Sequence, residues 1–147
     1  MTSVKRHVNW DFAESVLSAV LPGSTAFDPN GIVGIPLDAW ESFDIEQRDA
    51  DVIEDEFLSR CVGLKGPLIV VNSTSFDADQ GPFFVEASQL HQFVKTFHVR
   101  VRDYFMYASV IVVSPLTGIV IIVQDDGYIV TVQGRSIMAP SCDMGGA

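Results

Sequence analysis

The last third of the chain contains three β-rich runs separated by only a few residues. The runs are "DYFMYASVIVVS", "GIVIIVQ" and "GYIVTVQG", and "PLTG" and "DDG" connect them. Connections of this length and composition form tight turns, which join neighbouring antiparallel strands. The pattern predicts a three-stranded antiparallel meander. The first two runs are apolar without alternation, which is typical of strands covered on both faces.

Three amphipathic segments are predicted to be the helices that cover this sheet. The first is "NWDFAESVLSAVLPG", where Asn9 can cap the helix and Pro22-Gly23 ends it. The second lies in "DADVIEDEFLSRC", where Asp51 and Glu54 have the spacing of a capping box, and Val52, Ile53, Phe57 and Leu58 are its expected buried residues. The third is "QLHQFVKTF", with Ser88 as its cap.

Further strands are predicted in "GPLIVVNS", in "PFFVEAS" and over residues 32–37. Runs of strands mixed with separate helices indicate an α+β fold. We therefore expect helices packed on a mainly antiparallel sheet that ends in the C-terminal three-stranded meander. The domain is predicted to span residues 1–134, and residues 135–147, which lack periodicity, to form a flexible tail.

Composition restricts the class of function. The 147 residues carry a formal net charge of -10, which repels nucleic acid and anionic lipid and attracts basic proteins. The most apolar run is broken by Ser-Pro and Thr-Gly, so no membrane-spanning helix is expected. Two widely separated cysteines and an N-terminus without a signal-peptide pattern favour the cytoplasm. No cofactor motif is present, and Cys61 is predicted to be a buried structural cysteine.

The acidic stretch "DIEQRDADVIEDE" is the strongest candidate for a functional site. Nine of the nineteen acidic residues lie between Asp38 and Glu56, and Arg48 is the only base among them. Solubility alone does not require such concentration, which costs stability through self-repulsion. We expect a surface that binds a basic partner protein. The predicted contact residues are Asp44, Glu46, Asp49, Asp51, Glu54, Asp55 and Glu56 for electrostatics, with Trp40 and Phe43 as apolar anchors.

Alternatives to this interpretation remain open. A solvated, functionless charged surface is one of them. A calcium site is not predicted, because the stretch has no Gly for the sharp turn and places Arg48 within the loop. If residues 98–102 are extended, His98, Arg100 and Arg102 share one face, which would suit a small hydrolase or RNA-processing enzyme. A third alternative is an assembly module that associates through a sheet edge.

Residues 108–132, "ASVIVVSPLTGIVIIVQDDGYIVTV", combine a strand, a Ser-Pro-x-Thr-Gly turn, a second strand and an Asp-Gly-Tyr turn. Together with the small size and the acidity, this stretch resembles the immunity proteins of bacterial contact-dependent inhibition and related polymorphic-toxin systems. The resemblance implies a cytoplasmic, non-catalytic α+β protein that binds and neutralises a cognate toxin domain. For a basic nuclease toxin, the acidic stretch would act as a phosphate mimic. The resemblance leaves the oligomeric state open.

Overall fold

A computed structural model of the chain describes residues 9–27, 31–43, 49–76, 81–101, 105–106, 109–124 and 126–137. Within these residues, three α-helices and six β-strands follow one another in the order α1, β1, α2, β2, β3, α3, β4, β5, β6. Their bounds are α1 Asn9–Val20, β1 Glu41–Ser42, α2 Ala50–Arg60, β2 Pro67–Val71, β3 Phe83–Glu86, α3 Leu90–Val101, β4 Val110–Val113, β5 Ile119–Gln124 and β6 Tyr128–Gln133.

The strands form one sheet in the order β1-β6-β5-β4-β2-β3, in which every neighbouring pair is antiparallel. The predicted meander β4-β5-β6 is confirmed, although β4 begins only at Val110. The turn between β4 and β5 depends on Gly118, whose φ of 80° is rarely adopted by L side chains. A Cβ at Gly118 would also lie 2.7 Å from the Gly134 carbonyl oxygen, so the turn and the end of β6 are closely packed.

Both faces of the sheet are buried, which explains the missing alternation in β4 and β5. On one face, Ile111, Val120 and Ile122 pack in a cluster with Leu17 and Val20 of α1. On the other face, sheet residues such as Val112 and Ile121 pack in a second cluster with residues of α2 and α3. The helical members of that second cluster are Ile53, Phe57, Leu90, Val94 and Phe97. The fold is therefore α+β, as predicted, with one helix on one face and two on the other.

Two local predictions were wrong. Residues 32–36 form no strand, because Pro36 and the positive φ of Gly34 (87°) interrupt the extended conformation. A 3₁₀ turn, Leu37–Ala39, follows instead. Helix α3 continues to Val101, so residues 98–101 are helical and not extended. The helical spacing set by Leu90, Val94 and Phe97 outweighs the alternating β-branched pattern of "HVRV".

The other segments predicted as helices or strands do form helices or strands, although their bounds differ. Strands β2 and β3 lie where "GPLIVVNS" and "PFFVEAS" predicted them. Among the described residues, no helix is long and apolar enough to cross a membrane.

The first residues of the predicted tail are held against the domain. The Arg135 N–H donates to the Val20 carbonyl at 2.8 Å, and the Ile137 N–H donates to the Pro115 carbonyl at 2.9 Å. These two bonds join residues 135 and 137 to the end of α1 and to the β4–β5 turn. Residues 138–147 of the predicted tail lie outside the described part of the chain.

Candidate functional site

Helix α2 carries most of the acidic residues that the structure describes. It is preceded by Asp49, whose extended backbone (φ -65°, ψ 149°) marks the N-cap position, and its first main-chain bond joins the Ile53 N–H to the Asp49 carbonyl at 3.1 Å. The predicted capping box at Asp51 and Glu54 is therefore wrong, because Asp51 already lies inside the helix. Ile53 and Phe57 are buried and fix the helix to the sheet.

The carboxylates of α2 divide into outward and inward groups. Asp51 and Asp55 are one helical turn apart, and their side chains are 89% and 68% exposed. Glu56 is one third exposed, and the side chain of Glu54 is only 4% exposed. Thus Asp51 and Asp55 are available to a partner, whereas Glu54 is an internal group.

Lys95 of α3 lies among three of these carboxylates. Its Nζ is 2.8 Å from Asp55 Oδ1, 3.6 Å from Glu54 Oε1 and 3.7 Å from Asp51 Oδ1, and it also donates to the Asp51 carbonyl at 3.3 Å. The hydrogen bond to Asp55 is the main cause that raises the pKa of Lys95 above its ordinary value, with attraction to all three carboxylates adding to it and desolvation opposing it. Lys95 therefore stays charged and joins α3 to α2.

Arg60 also forms ion pairs, at the C-terminal end of α2. Its Nη1 is 3.0 Å from Glu41 Oε1 of strand β1, and its Nη2 is 3.9 Å from Glu56 Oε2. The helix is thus tied both to the sheet edge and to α3 by ion pairs.

We define the acidic face as Glu41, Asp49, Asp51, Glu54, Asp55 and Glu56. Lys95 and Arg60 form ion pairs with five of these six carboxylates, namely Glu41, Asp51, Glu54, Asp55 and Glu56. Residues 49–60 include five acids and one base, Arg60, and two of the acids, Asp51 and Asp55, are well exposed on α2. Lys95 and Arg60 were not part of the predicted site, because they approach it only through tertiary packing.

The predicted apolar anchors are not on this face. Phe43 is 1% exposed and belongs to the core, and its N–H donates to the Gly127 carbonyl at 2.7 Å. The prediction that Phe43 is an apolar anchor on the surface is therefore wrong. Trp40 is half-buried and packs on the sheet face that carries α1, opposite to the face covered by α2.

The apolar side chain that does accompany the acids is Val52. It was predicted to be buried but is 47% exposed on α2, where it lies three and four residues from Asp55 and Glu56. Asp44 and Glu46, the other predicted contacts, lie in residues 44–48, outside the described residues.

The residues of the enzymatic alternative do not adopt the expected arrangement. Positions 98 and 100 both lie in α3, and two positions of a helix that are two residues apart are separated by about 200° around its axis. They therefore do not form the shared face of an extended segment. Arg102 lies outside the described residues.

Cys61 is buried in the cluster beneath α2, as predicted. Burial raises the pKa of its thiol to about 12. The thiolate that a nucleophile requires is therefore scarce at neutral pH.

An apolar cavity of about 170 Å³ lies on the α1 side of the sheet. Trp40, Phe76 and Ile111 are among its lining residues, and Ser109 and Gln124 are the polar ones. Among the described residues, no ionisable side chain lines it, and its contacts are mainly apolar. Within the described ranges, no group of three or more His, Cys, Asp or Glu residues is arranged to hold a metal ion.

Comparisons with protein-family models, with curated proteins and with solved structures find no match for the chain.

Proposed function

We propose that the protein is a non-catalytic cytoplasmic immunity protein, which neutralises a basic toxin domain by binding it through the acidic face. The observation that carries this proposal is the exposure of Asp51 and Asp55, whose side chains are 89% and 68% exposed on a helix rich in acidic residues. Such a surface attracts a cationic partner over long range and aligns it before contact.

The ion pairs at the two ends of α2 support the binding role. Because Lys95 and Arg60 fix the helix to α3 and to β1, its carboxylates are held in place before a partner arrives. Pre-ordered groups lose less conformational entropy on binding than mobile ones do. A basic nuclease cleft, built to hold phosphates, can accept such a carboxylate array as a mimic of its substrate.

Val52 supplies the apolar component that Trp40 and Phe43 do not. Its exposed side chain lies beside Asp55 on the helix surface. Burial of an apolar side chain at the centre of a charged interface excludes water and slows dissociation.

The experiment compares two variants with the same change in net charge. Asp51→Asn/Asp55→Asn neutralises two outward carboxylates of the acidic face. Asp11→Asn/Glu14→Gln neutralises two carboxylates of α1, which covers the opposite face of the sheet. Each protein is produced together with a candidate toxin, which is a basic nuclease domain encoded next to its gene, and protection of the cells and of their nucleic acid is scored.

We expect the α2 variant to protect less and to form the complex about tenfold more slowly, because steering depends on the local field. The α1 variant should protect as the wild type does. Melting temperatures of both variants serve as the folding control. Equal protection by the two variants, or no complex between the wild type and the toxin domain, would contradict the proposal.

A further inference from the structure

The two edges of the sheet differ in how strongly they resist pairing with another strand. In the described chain the outer strands are β1 and β3. Strand β1 has only two residues, both exposed, and one of them is the charged Glu41; short, charged edge strands resist pairing. Strand β3, Phe83–Glu86, also ends in a charged residue, but it is longer, its other three residues are apolar, and Phe84 is 48% exposed. It is therefore the less protected edge.

The register of β2 and β3 determines which main-chain groups of β3 face the open side. The Ala87 N–H donates to the Gly66 carbonyl at 2.9 Å, and Pro67, which has no N–H, lies opposite Glu86. In an antiparallel pair, hydrogen-bonded and non-hydrogen-bonded positions alternate. Phe83 and Val85 therefore bond to β2, and the N–H and C=O groups of Phe84 and Glu86 are directed away from it.

A groove of about 660 Å³ runs along this open edge, between β3 and helix α3. Its other side is formed by Gln89, just before α3, and by Gln92, Phe93 and Thr96 of α3, so Glu86 is the one charged residue among the described residues of the lining. The groove therefore offers few carboxylates for a basic partner to bind. A second copy of a chain with net charge -10, by contrast, is repelled less at a weakly charged surface such as this one than at the acidic face.

We propose that two copies of the protein pair β3 with β3 in antiparallel orientation about a twofold axis, which gives one continuous sheet across the dimer. The axis passes beside Val85, so that Val85 lies opposite Val85 of the second copy and Phe84 lies opposite its Glu86. Phe84 and Glu86 then form two hydrogen-bonded pairs, each of which exchanges both of its N–H···O bonds.

The neighbouring twofold registers are less favourable. One places Glu86 opposite Glu86, and like charges directly opposite each other are destabilising. The other places Phe84 opposite Phe84 and Glu86 opposite Pro82, which lacks an N–H. Because each copy contributes the same strand, β3, the assembly is complete with two copies. The better protected β1 strands then form the two outer edges of the joined sheet.

Sedimentation of the wild type and of two substitutions at one position tests the proposal. The wild type should reach twice the 16.1 kDa mass of the chain as its concentration rises, and no larger species should form. Phe84→Glu sets a carboxylate opposite Glu86 of the second copy at two places, so this variant should be monomeric. Phe84→Lys sets an ammonium opposite the same Glu86, so this variant should remain dimeric, although it loses the same aromatic ring.

A cross-link checks the register independently. In a Cys142→Ser background, Val85→Cys should form an intermolecular disulfide, because directly opposed, non-hydrogen-bonded positions lie within disulfide reach. The control Val52→Cys, on exposed α2, should not. A wild type that stays at 16.1 kDa up to about 1 mM would overturn the proposal. So would a dimer that is unaffected by Phe84→Glu, or one that Val85→Cys does not cross-link.

Discussion

The ion pairs of Lys95 allow a quantitative test of how α2 is held. Lys95→Met keeps most of the side-chain volume but removes the ammonium that contacts three carboxylates. The largest consequence concerns Glu54, whose 4% exposed carboxylate loses a nearby cation. Loss of one partner of a buried pair costs about 3–5 kcal/mol, and a hydrogen bond to a charged group contributes about 1.5–3 kcal/mol. Since the Lys95 side chain is itself 23% exposed, the cost of breaking a fully buried pair does not apply, and we expect a loss of about 2 kcal/mol, within the range for a hydrogen bond to a charged group.

The assay is urea unfolding of Lys95→Met, Glu54→Gln and the double variant. If the loss comes from the charge of the buried Glu54 carboxylate, Glu54→Gln should restore part of the stability in the Lys95→Met background, which a double-mutant cycle measures. A loss below about 0.5 kcal/mol, or no recovery in the double variant, would refute this reasoning.

The same pair predicts a dependence on pH. Because folding raises the pKa of Lys95 above its ordinary value of 10.5, its ion pairs stabilise the protein fully below that pH. The contribution is lost as the pH rises through the pKa of the folded state. The difference in unfolding free energy between wild type and Lys95→Met should therefore be constant from neutral pH to about pH 9.5 and should shrink above pH 10.5. A difference that grows at alkaline pH would contradict the assigned direction.

Two further predictions concern buried groups. Asn72 donates to the Phe105 carbonyl at 3.2 Å and accepts from the Thr74 N–H at 3.1 Å, so Asn72→Ala should lower the free energy of unfolding by about 2–3 kcal/mol in urea titrations; a change within about 0.5 kcal/mol would show that neither bond matters. In a Cys142→Ser background, Cys61 should react with iodoacetamide at pH 8 about a thousandfold more slowly than an ordinary thiol, because burial raises its pKa to about 12; rapid labelling of the folded protein would contradict that value.

The parts of the fold that follow from local chemistry could be predicted from sequence. The meander was predictable because "PLTG" and "DDG" are turn sequences between uninterrupted apolar runs. Helix α1 was predictable because Ala13, Leu17 and Val20 have helical spacing and Pro22-Gly23 follows them. In these segments local preference and tertiary packing agree.

Most of the wrong predictions concern residues whose position depends on contacts with parts of the chain that are distant in sequence. Phe43 resembled a surface aromatic because acids surround it in sequence, but β1 pairs with β6 and carries Phe43 into the core. Lys95 lies 44 residues from Asp51, so its place among the carboxylates of α2 depends on how α2 and α3 pack. The strand predicted over residues 32–37 failed at Gly34 and Pro36, whose conformations override the apolar run.

The sequence therefore predicted which segment of the chain carries the candidate site, but not which of its side chains are exposed. Its charge was visible in the sequence, since nine acids lie between Asp38 and Glu56. Which carboxylates face outward depends on the rotation of α2, which Ile53 and Phe57 fix by their burial. That rotation exposes Val52 and buries Glu54, the reverse of the prediction for both residues.

The salt dependence of association tests the central claim most directly. The rate constant for binding of the wild type to the toxin domain is measured by stopped flow over a series of ionic strengths, together with the Asp51→Asn/Asp55→Asn variant. If the excess charge of the acidic face draws the partner in, the wild-type rate should fall steeply with added salt, and the variant should show a shallower slope. Two parallel lines, or a wild-type rate that does not change with salt, would contradict the account.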